Sequence, residues 1–394
     1  MSRTTTTRRV AAAATSAIAA VALAAPLAHA APPEDTLRSE APRDLRIGSA
    51  VWGERELLGY DKKAPTEFQQ ILAAEFNSIT PENDMKWAEI HPEPDSYDFS
   101  GADAVVAFAK ANNQEVRGHT LLWHSQNPQW VTDGGSTWSC DEARDVLEDH
   151  VRTVVGRYAG EIYEWDVANE IFQDDWDNGG VRLRTEANPF LKACAEDPVA
   201  LIGDVFRWAH EADPEAVLFL NDYNAEGVNT KTNAYYALAQ ELLADGVPLH
   251  GMGAQGHLSL MYGFDTSIQE NFERFADLGL KVAVTEADVR FPLAGEPTEA
   301  QLATQAERYD AMLQACINVA ACTSYTVWGF DDARSWVPGV FAPEGAATIM
   351  TEEFEKKPAY FALLETLTEA TPGKSPRTAP GLNKGHLTSA GMGR

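Results

Sequence analysis

The sequence predicts an α/β chain closed into a single (β/α)8 barrel, the TIM-barrel architecture, and three observations carry that expectation. Short apolar runs alternate with longer stretches of helical period, as strands feeding crossover helices must. Eight such runs occur between residues 40 and 368 with no linker and no change of composition. Polar and aromatic residues then gather directly after the runs, where a parallel barrel displays its functional groups.

The eight runs are residues 46–51, 77–80, 115–119, 163–167, 217–220, 251–255, 281–285 and 324–328. Amphipathic stretches at 65–75, 141–158, 230–244 and 298–315 fall between them, with Pro65 and Thr298 where helix starts are expected. Behind the strands come Glu82-Asn83, His119, Asn169-Glu170, Asn221-Asp222-Tyr223-Asn224, Gln255 with His257, Glu286 with Asp288, and Trp328. Any one of them could be structural. Together they argue for one shared polar cleft.

The ends read differently from the barrel. Arg3, Arg8 and Arg9 precede an alanine-rich run that closes on Ala28-His29-Ala30, the pattern of a cleaved signal peptide over residues 1–30. The run is too weakly apolar for a membrane anchor, so the mature chain is expected to be secreted and extracellular. Thr7-Arg8-Arg9-Val10 leaves a twin-arginine route open beside the general one. Residues 31–45 lead into a catalytic domain at 46–368, and 369–394, rich in Gly, Pro, Ser and Thr, form a flexible tail. The tail is too short for a second binding module, so any polymer affinity must come from the barrel.

Four cysteines in an exported chain point to two disulfides. Cys316 and Cys322 are near enough in sequence to close a small loop, which would leave Cys140 for Cys194, although sequence alone does not decide the pairing. No Cys-x-x-Cys or His-x-x-x-His spacing supports a metal site. The formal charge of −28, from 31 basic and 59 acidic residues, disfavours nucleic acid and anionic lipid as partners while leaving a neutral polymer unaffected. A monomer is expected.

Two carboxylates stand out. Glu170 follows Trp165-Asp166-Val167-Ala168-Asn169 at the fourth strand end, and Glu286 follows Val282-Ala283-Val284-Thr285 at the seventh. Directly behind buried apolar strands a carboxylate is costly unless paired or used. Those two strand ends face each other across the barrel mouth, and paired carboxyls flanking an anomeric carbon are the machinery of glycoside hydrolysis. A separation of about 5 to 5.5 Å would mean retention through a covalent intermediate, and that spacing is the expectation. Asn169 can donate to the sugar hydroxyl beside the reacting carbon, and His257, oriented by Asp288, can hold the nucleophile ionised. Among ten tryptophans, Trp87, Trp123, Trp328 and Trp336 lie in strand-end segments, and Trp328 and Trp336 carry the most weight as stacking surfaces for pyranose rings.

These motifs closely resemble glycoside hydrolase family 10, whose members are mainly endo-β-1,4-xylanases with an eight-fold barrel. The matching stretches are 76–87 (Phe-Asn-Ser-Ile-Thr-Pro-Glu-Asn-Asp-Met-Lys-Trp), 117–124 (Arg-Gly-His-Thr-Leu-Leu-Trp-His), 165–170, 221–224, 255–257, 285–288 and 327–329. The resemblance implies Glu170 as acid/base and Glu286 as nucleophile. It implies that Glu82, Asn83 and Lys86 grip the sugar two places upstream of the cut, and that His119, Asn169, Gln255 and His257 surround the sugar being cleaved. Trp123, Trp328 and Trp336 would wall the same region, and Tyr223 would face the leaving-group side. No cofactor or catalytic metal is implied, and the expected partner is xylan or a related β-1,4-linked oligosaccharide.

The chain departs from the family pattern at Ala168 and Ala287, where a larger apolar residue is usual, in the long connection 172–204 with Trp176 and Cys194, and at Ser335-Trp336-Val337-Pro338-Gly339. The family also includes enzymes that strip oligosaccharides from plant glycoalkaloids. A tomatinase-like or cellulase-like specificity therefore stays open beside xylan, and the presence of both glutamates argues against a noncatalytic carbohydrate-binding barrel.

Overall fold

The computed structural model describes residues 35–175 and 180–370. The expected signal peptide, the start of the 31–45 segment, Trp176 and nearly all of the expected tail lie outside them. Eight parallel strands form the barrel: β1 (Arg46–Val51), β2 (Ser78–Pro81), β3 (Glu115–Leu122), β4 (Ile162–Asn169), β5 (Val217–Asp222), β6 (Gly251–Ala254), β7 (Lys281–Pro292) and β8 (Cys322–Val327). Each pairs with its neighbour in chain order, and the β8–β1 and β7–β8 pairings close the ring. No sheet edge is left in the barrel, which removes the aggregation hazard of an open parallel sheet.

Helices follow the strands in turn: α1 (Glu67–Glu75), α2 (Ser100–Asn112), α3 (Cys140–Arg157), α4 (Pro198–Ala212), α5 (Thr230–Ala244), α6 (Ile268–Asp277), α7 (Glu299–Asn318) and α8 (Pro358–Ala370). Their starts are chemically marked. Thr66, Ser139, Asn229 and Thr298 each accept a backbone N–H from the first turn within a reciprocal capping box, satisfying donors that the helix itself cannot. Thr298 thus caps the helix it was expected to start. Pro65 does not: it stands one residue before the cap Thr66.

Strand limits also shift from the sequence expectation. β7 continues well past Thr285 because its outer half pairs with two short strands, His257–Ser259 and Glu344–Gly345. Gln255 and Trp328 fall just beyond the ends of β6 and β8 rather than inside them. At the amino end the packed body begins before residue 46: Leu37 is fully buried, and Arg38 donates to the carbonyls of Ala73, Asn112 and Asn113. At the other end α8 runs on to Ala370.

Register shifts occur at strand starts, between Val116 and Arg117 in the β3–β4 pairing and between Val282 and Ala283 in β7–β8, and again toward the mouth, between His119 and Leu122 in β3–β4, between Asp166 and Ala168 in β4–β5, and between Val284 and Ala287 in β7–β8. Such irregularities turn a strand's last side chains away from strict alternation and aim them into the mouth. Below them the barrel interior is polar. Arg117 pairs in register with Glu164, and His119 with Asp166, so both cross-strand pairs point inward one above the other.

Two disulfides are formed, Cys140–Cys194 and Cys316–Cys322. The first ties the start of α3 to the long connection after β4, across a sequence separation of 54; the second spans only 6. Chain-entropy scaling then predicts unequal effects, about 4 kcal/mol lost in a Cys140→Ser/Cys194→Ser double variant against about 2 kcal/mol in Cys316→Ser/Cys322→Ser. Denaturant unfolding of both variants checks the order; equal losses would contradict it.

Candidate active site

The barrel mouth opens into a cleft of about 1310 Å³ lined, among others, by Lys86, His119, Trp123, Glu170, Tyr223, Gln255, His257, Glu286, Trp328 and Trp336. The structure therefore brings ten of the sequence-selected residues to one surface. Glu82, Asn83, Asn169 and Asp288 are not part of the lining. Asn83 Oδ1 accepts from Lys86 Nζ at 3.2 Å and from Gln126 Nε2 at 3.0 Å, so it holds a lysine in place. Burial pushes the Glu82 carboxyl up and the Lys86 ammonium down, with each charge partly offsetting the other. Trp87 belongs to the core: it is buried, donates to Leu121 O at 2.7 Å and stacks on His150 with ring centroids 3.6 Å apart.

Glu286 is the most constrained carboxylate of the set. It is only 3 % exposed, yet Asn221 Nδ2 donates to its Oε1 at 2.7 Å and His257 Nε2 lies 3.2 Å from its Oε2. Burial alone would raise its pKa. His119, His257 and Arg117 outweigh that penalty and bring it down to about 2. His257 in turn has Nδ1 at 2.8 Å from Asp288 Oδ2; burial disfavours its charge, but Asp288 and Glu286 raise its pKa to about 10. The pair is an imidazolium bridging two carboxylates. Trp336 Nε1 also donates to Asp288 Oδ2, at 2.8 Å, which fixes that carboxylate and one cleft wall together.

Beneath lies a second column. His119 Nδ1 is 2.8 Å from Asp166 Oδ2, and Arg117, with no exposed surface, bonds both Asp166 and Glu164. His119, Asp166 and Glu286 offer ligand atoms within 4.8 Å of one another, so a cation could sit among them only in competition with Arg117.

Glu170 is half-buried and adopts a left-handed backbone conformation, φ 51°, that a non-glycine residue rarely holds without support. Its N–H donates to Asn221 O at 2.8 Å, and Gln255 Nε2 donates to its Oε1 at 3.1 Å. Gln255 Nε2 and Asn221 Nδ2 both approach Asn169 Oδ1, at 3.4 and 2.9 Å. A continuous set of carboxamides, Gln255, Asn169 and Asn221, thus links Glu170 to Glu286. Asn169 Nδ2 is buried with no hydrogen-bond partner among the described residues, a donor that a ligand hydroxyl would satisfy.

Two residues near the pair were given no role from sequence. Asn221 sits in the motif 221–224, but its bond to Glu286 depends on strand register. His124 Nδ1 lies 3.7 Å from Glu170 Oε2; burial, then Arg184, lowers its pKa to about 4, so it is neutral beside that carboxyl near neutral pH. Its signal in the sequence was adjacency to Trp123 at the end of the second motif.

Residues 40–366 match the family model described as Glycosyl hydrolase family 10. Endo-1,4-beta-xylanase B of Thermotoga neapolitana is 41 % identical over 304 residues, covering 77 % of this chain and 84 % of that protein. An endo-1,4-beta-xylanase of Agaricus bisporus is 38 % identical over 302 residues, covering 77 % and 86 %. Among solved structures, native xylanase 10B of Thermotoga maritima superposes with TM-score 0.77 at 40 % identity, covering 85 % of this chain and 98 % of that one. Xylanase 10B of Thermotoga petrophila RKU-1 in complex with xylobiose gives 0.76 at 39 %, with the same coverage.

The charge balance at Glu286 has a signed consequence. Its folded pKa lies below the ordinary carboxylate value of 4.5, so its ionisation stabilises the fold above that value, and the gain is lost as pH falls through about 2. His257 is raised above 6.5, so its contribution is complete below that value and is lost as pH rises through about 10. Both contributions are complete only between about pH 4.5 and 6.5. In His257→Asn the Glu286 pKa should rise by roughly one to two units, as expected when a close opposite charge is removed. Carbon-detected NMR titration of the Glu286 carboxyl measures this; an unmoved pKa would show that His257 does not hold the charge.

Proposed function

The chain belongs to glycosyl hydrolase family 10 and is a glycosidase of the endo-1,4-β-xylanase kind, and we propose that it cuts internal β-1,4 bonds of xylan with net retention, Glu170 acting as acid/base and Glu286 as nucleophile. The observation that carries this reading is a buried carboxylate held ionised by two histidines, in the same cleft as a second, half-buried carboxyl to which it is linked by three carboxamides.

In the first step Glu286 attacks the anomeric carbon as the bond to the leaving oxygen breaks, and Glu170 gives that oxygen its proton. A glycosyl ester on Glu286 results. In the second step Glu170 takes a proton from water, the water oxygen bonds to the anomeric carbon, and the ester bond breaks to return Glu286 as a carboxylate. A carboxyl spacing of about 5 to 5.5 Å suits this route.

The supporting residues take complementary parts. Asn169 Nδ2 donates to the hydroxyl beside the reacting carbon, a bond worth most as positive charge develops there. His119, Gln255 and His257 surround the same sugar, while Trp123, Trp328 and Trp336 cover its faces. Lys86, with Glu82 and Asn83 behind it, serves the upstream sugar. Tyr223 serves the leaving-group side. Residues 1–30 support export, and the chain is read as an extracellular monomer acting on a plant cell-wall polysaccharide; no helix among the described residues is long and apolar enough to cross a membrane.

Two variants test the roles on xylan and on an aryl β-xylobioside with a nitrophenolate leaving group. Glu286→Ala should lose turnover on both and recover part of it in azide, giving the glycosyl azide of inverted configuration. Glu170→Ala should slow xylan cleavage by about 100 to 10,000-fold and the aryl substrate far less, since nitrophenolate leaves without a proton. Product chromatography showing no xylo-oligosaccharides from xylan with the wild type would remove the substrate assignment.

A further inference from the structure

The long connection after β4 starts as a hairpin, Phe172–Asp175 with Gly180–Leu183, and delivers Arg184 back to the base of the catalytic loop. Arg184 is 9 % exposed, and its backbone N–H donates to Ile171 O at 2.8 Å, which fixes the chain where the side chain emerges. The guanidinium then spans two groups. Nε donates to the main-chain carbonyl of Glu170 at 2.7 Å, and Nη2 donates to the Tyr223 hydroxyl at 2.6 Å.

Each contact completes a hold that another group begins. Glu170 sits at φ 51°, with its N–H tied to Asn221 O on one side of the residue and its carbonyl tied to Arg184 on the other. Without the second tie, relaxation toward an ordinary backbone conformation would swing the side chain. Tyr223 has Lys231 Nζ 3.5 Å from its ring centroid, and Lys231 is itself anchored by Asp222 at 2.7 Å and Asp174 at 3.2 Å. The ring face is therefore held by one cation and the hydroxyl by another. A planar, forked donor can serve both ends at once; the single ammonium of a lysine cannot.

We infer that Arg184 is a positioning residue that locks the acid/base Glu170 to the leaving-group platform Tyr223, so that a sugar seated on the tyrosine and the carboxyl that protonates its oxygen are held in one fixed relation. The inference rests on the role of Glu170 proposed above. Its physical content is orientation: a misplacement of about 1 Å in a proton donor can cost on the order of 100-fold. The charge of Arg184 also helps to keep His124, 3.7 Å from Glu170 Oε2, neutral. That effect would survive replacement by lysine, whereas the two-point hold would not.

Arg184→Met and Arg184→Lys, with Glu170→Ala as control, would be assayed on xylan and on the nitrophenyl β-xylobioside. Both Arg184 variants should lose kcat/KM on xylan on the order of 100-fold, with the aryl substrate reduced only a few-fold and the dependence of rate on leaving-group pKa steeper than in the wild type. Arg184→Lys, which keeps the cation in a nearly buried site, preserves the test if the methionine variant folds poorly. Equal losses on both substrates would mean that Arg184 only supports the fold, and full activity on xylan would mean that it holds nothing that matters; either overturns the inference. Should Glu170→Ala itself fail to discriminate between the substrates, the acid/base role falls first. If that control discriminates and the Arg184 variants do not, the inference about Arg184 alone is wrong.

Discussion

The barrel is organised around the need to keep one carboxylate charged where little water reaches it. Glu286 sits 3 % exposed behind the four buried strand residues 282–285, and desolvation would neutralise it in an unassisted interior. The opposing groups come from four different strand ends: His119 and Arg117 from β3, Asn221 from β5, His257 from just beyond β6, and Asp288 from β7 itself to orient the histidine. A closed ring of parallel strands is what permits this convergence, because every strand ends at the same mouth. Acidic and basic side chains alternate through the site: Glu164, Arg117, Asp166, His119, Glu286, His257, Asp288. Replacing a single member would strand the next charge in low dielectric, which is why such networks are costly to break although they add little net stability.

The two carboxyls are supported in different ways, and the difference matches the roles proposed for them. Glu286 is fixed by charge, as a nucleophile that must stay ionised would be. Glu170 is half-exposed and fixed mainly through its backbone, by Asn221 and Arg184, leaving its side chain to Gln255 and a neutral His124. A group that must give up and recover a proton is better held by its main chain than by a permanent counter-ion. The Cys140–Cys194 bridge fastens the far end of the connection that carries Arg184, so that connection is braced covalently as well.

Much of this was legible before any coordinates. Period and spacing placed the eight strands, because each apolar run must be buried on both faces and each is followed by a helix of opposite amphipathic period. Glu170 and Glu286 were visible for the same reason, as carboxylates directly behind runs that bury everything else. What the sequence could not reveal was contact between strands. Arg117 read as an ordinary motif residue, and its pairing with Glu164 and Asp166 appears only once β3 and β4 are in register. The lengths of β7 and β3 were underestimated because their outer halves pair with short irregular strands or cross register shifts, and neither leaves a periodic trace. Arg184 lay in a stretch noted for its length, Trp176 and Cys194, and not for the arginine. Its role depends on the path by which the hairpin returns, and Trp87, one of four tryptophans with similar local context, went to the core because of a ring stack with a histidine 63 positions away.

The cleft is closer to charge balance than the chain that forms it. The chain as a whole is strongly acidic, at −28, whereas the cleft lining sets Lys86, Lys231, Arg290 and Arg308 beside Glu170, Asp174, Glu226, Asp265 and Glu286. A neutral polymer needs no steering by net charge, so these cations act locally, orienting carboxyls and aromatic rings. The most direct test of the central claim is covalent trapping: incubation with a 2-deoxy-2-fluoro-β-xylobioside bearing a dinitrophenolate leaving group, followed by mass spectrometry of the intact and digested protein. The account predicts one added glycosyl residue per chain, located on Glu286 and absent from Glu286→Ala. A label on another residue, or rapid turnover with inverted product and no adduct, would contradict it.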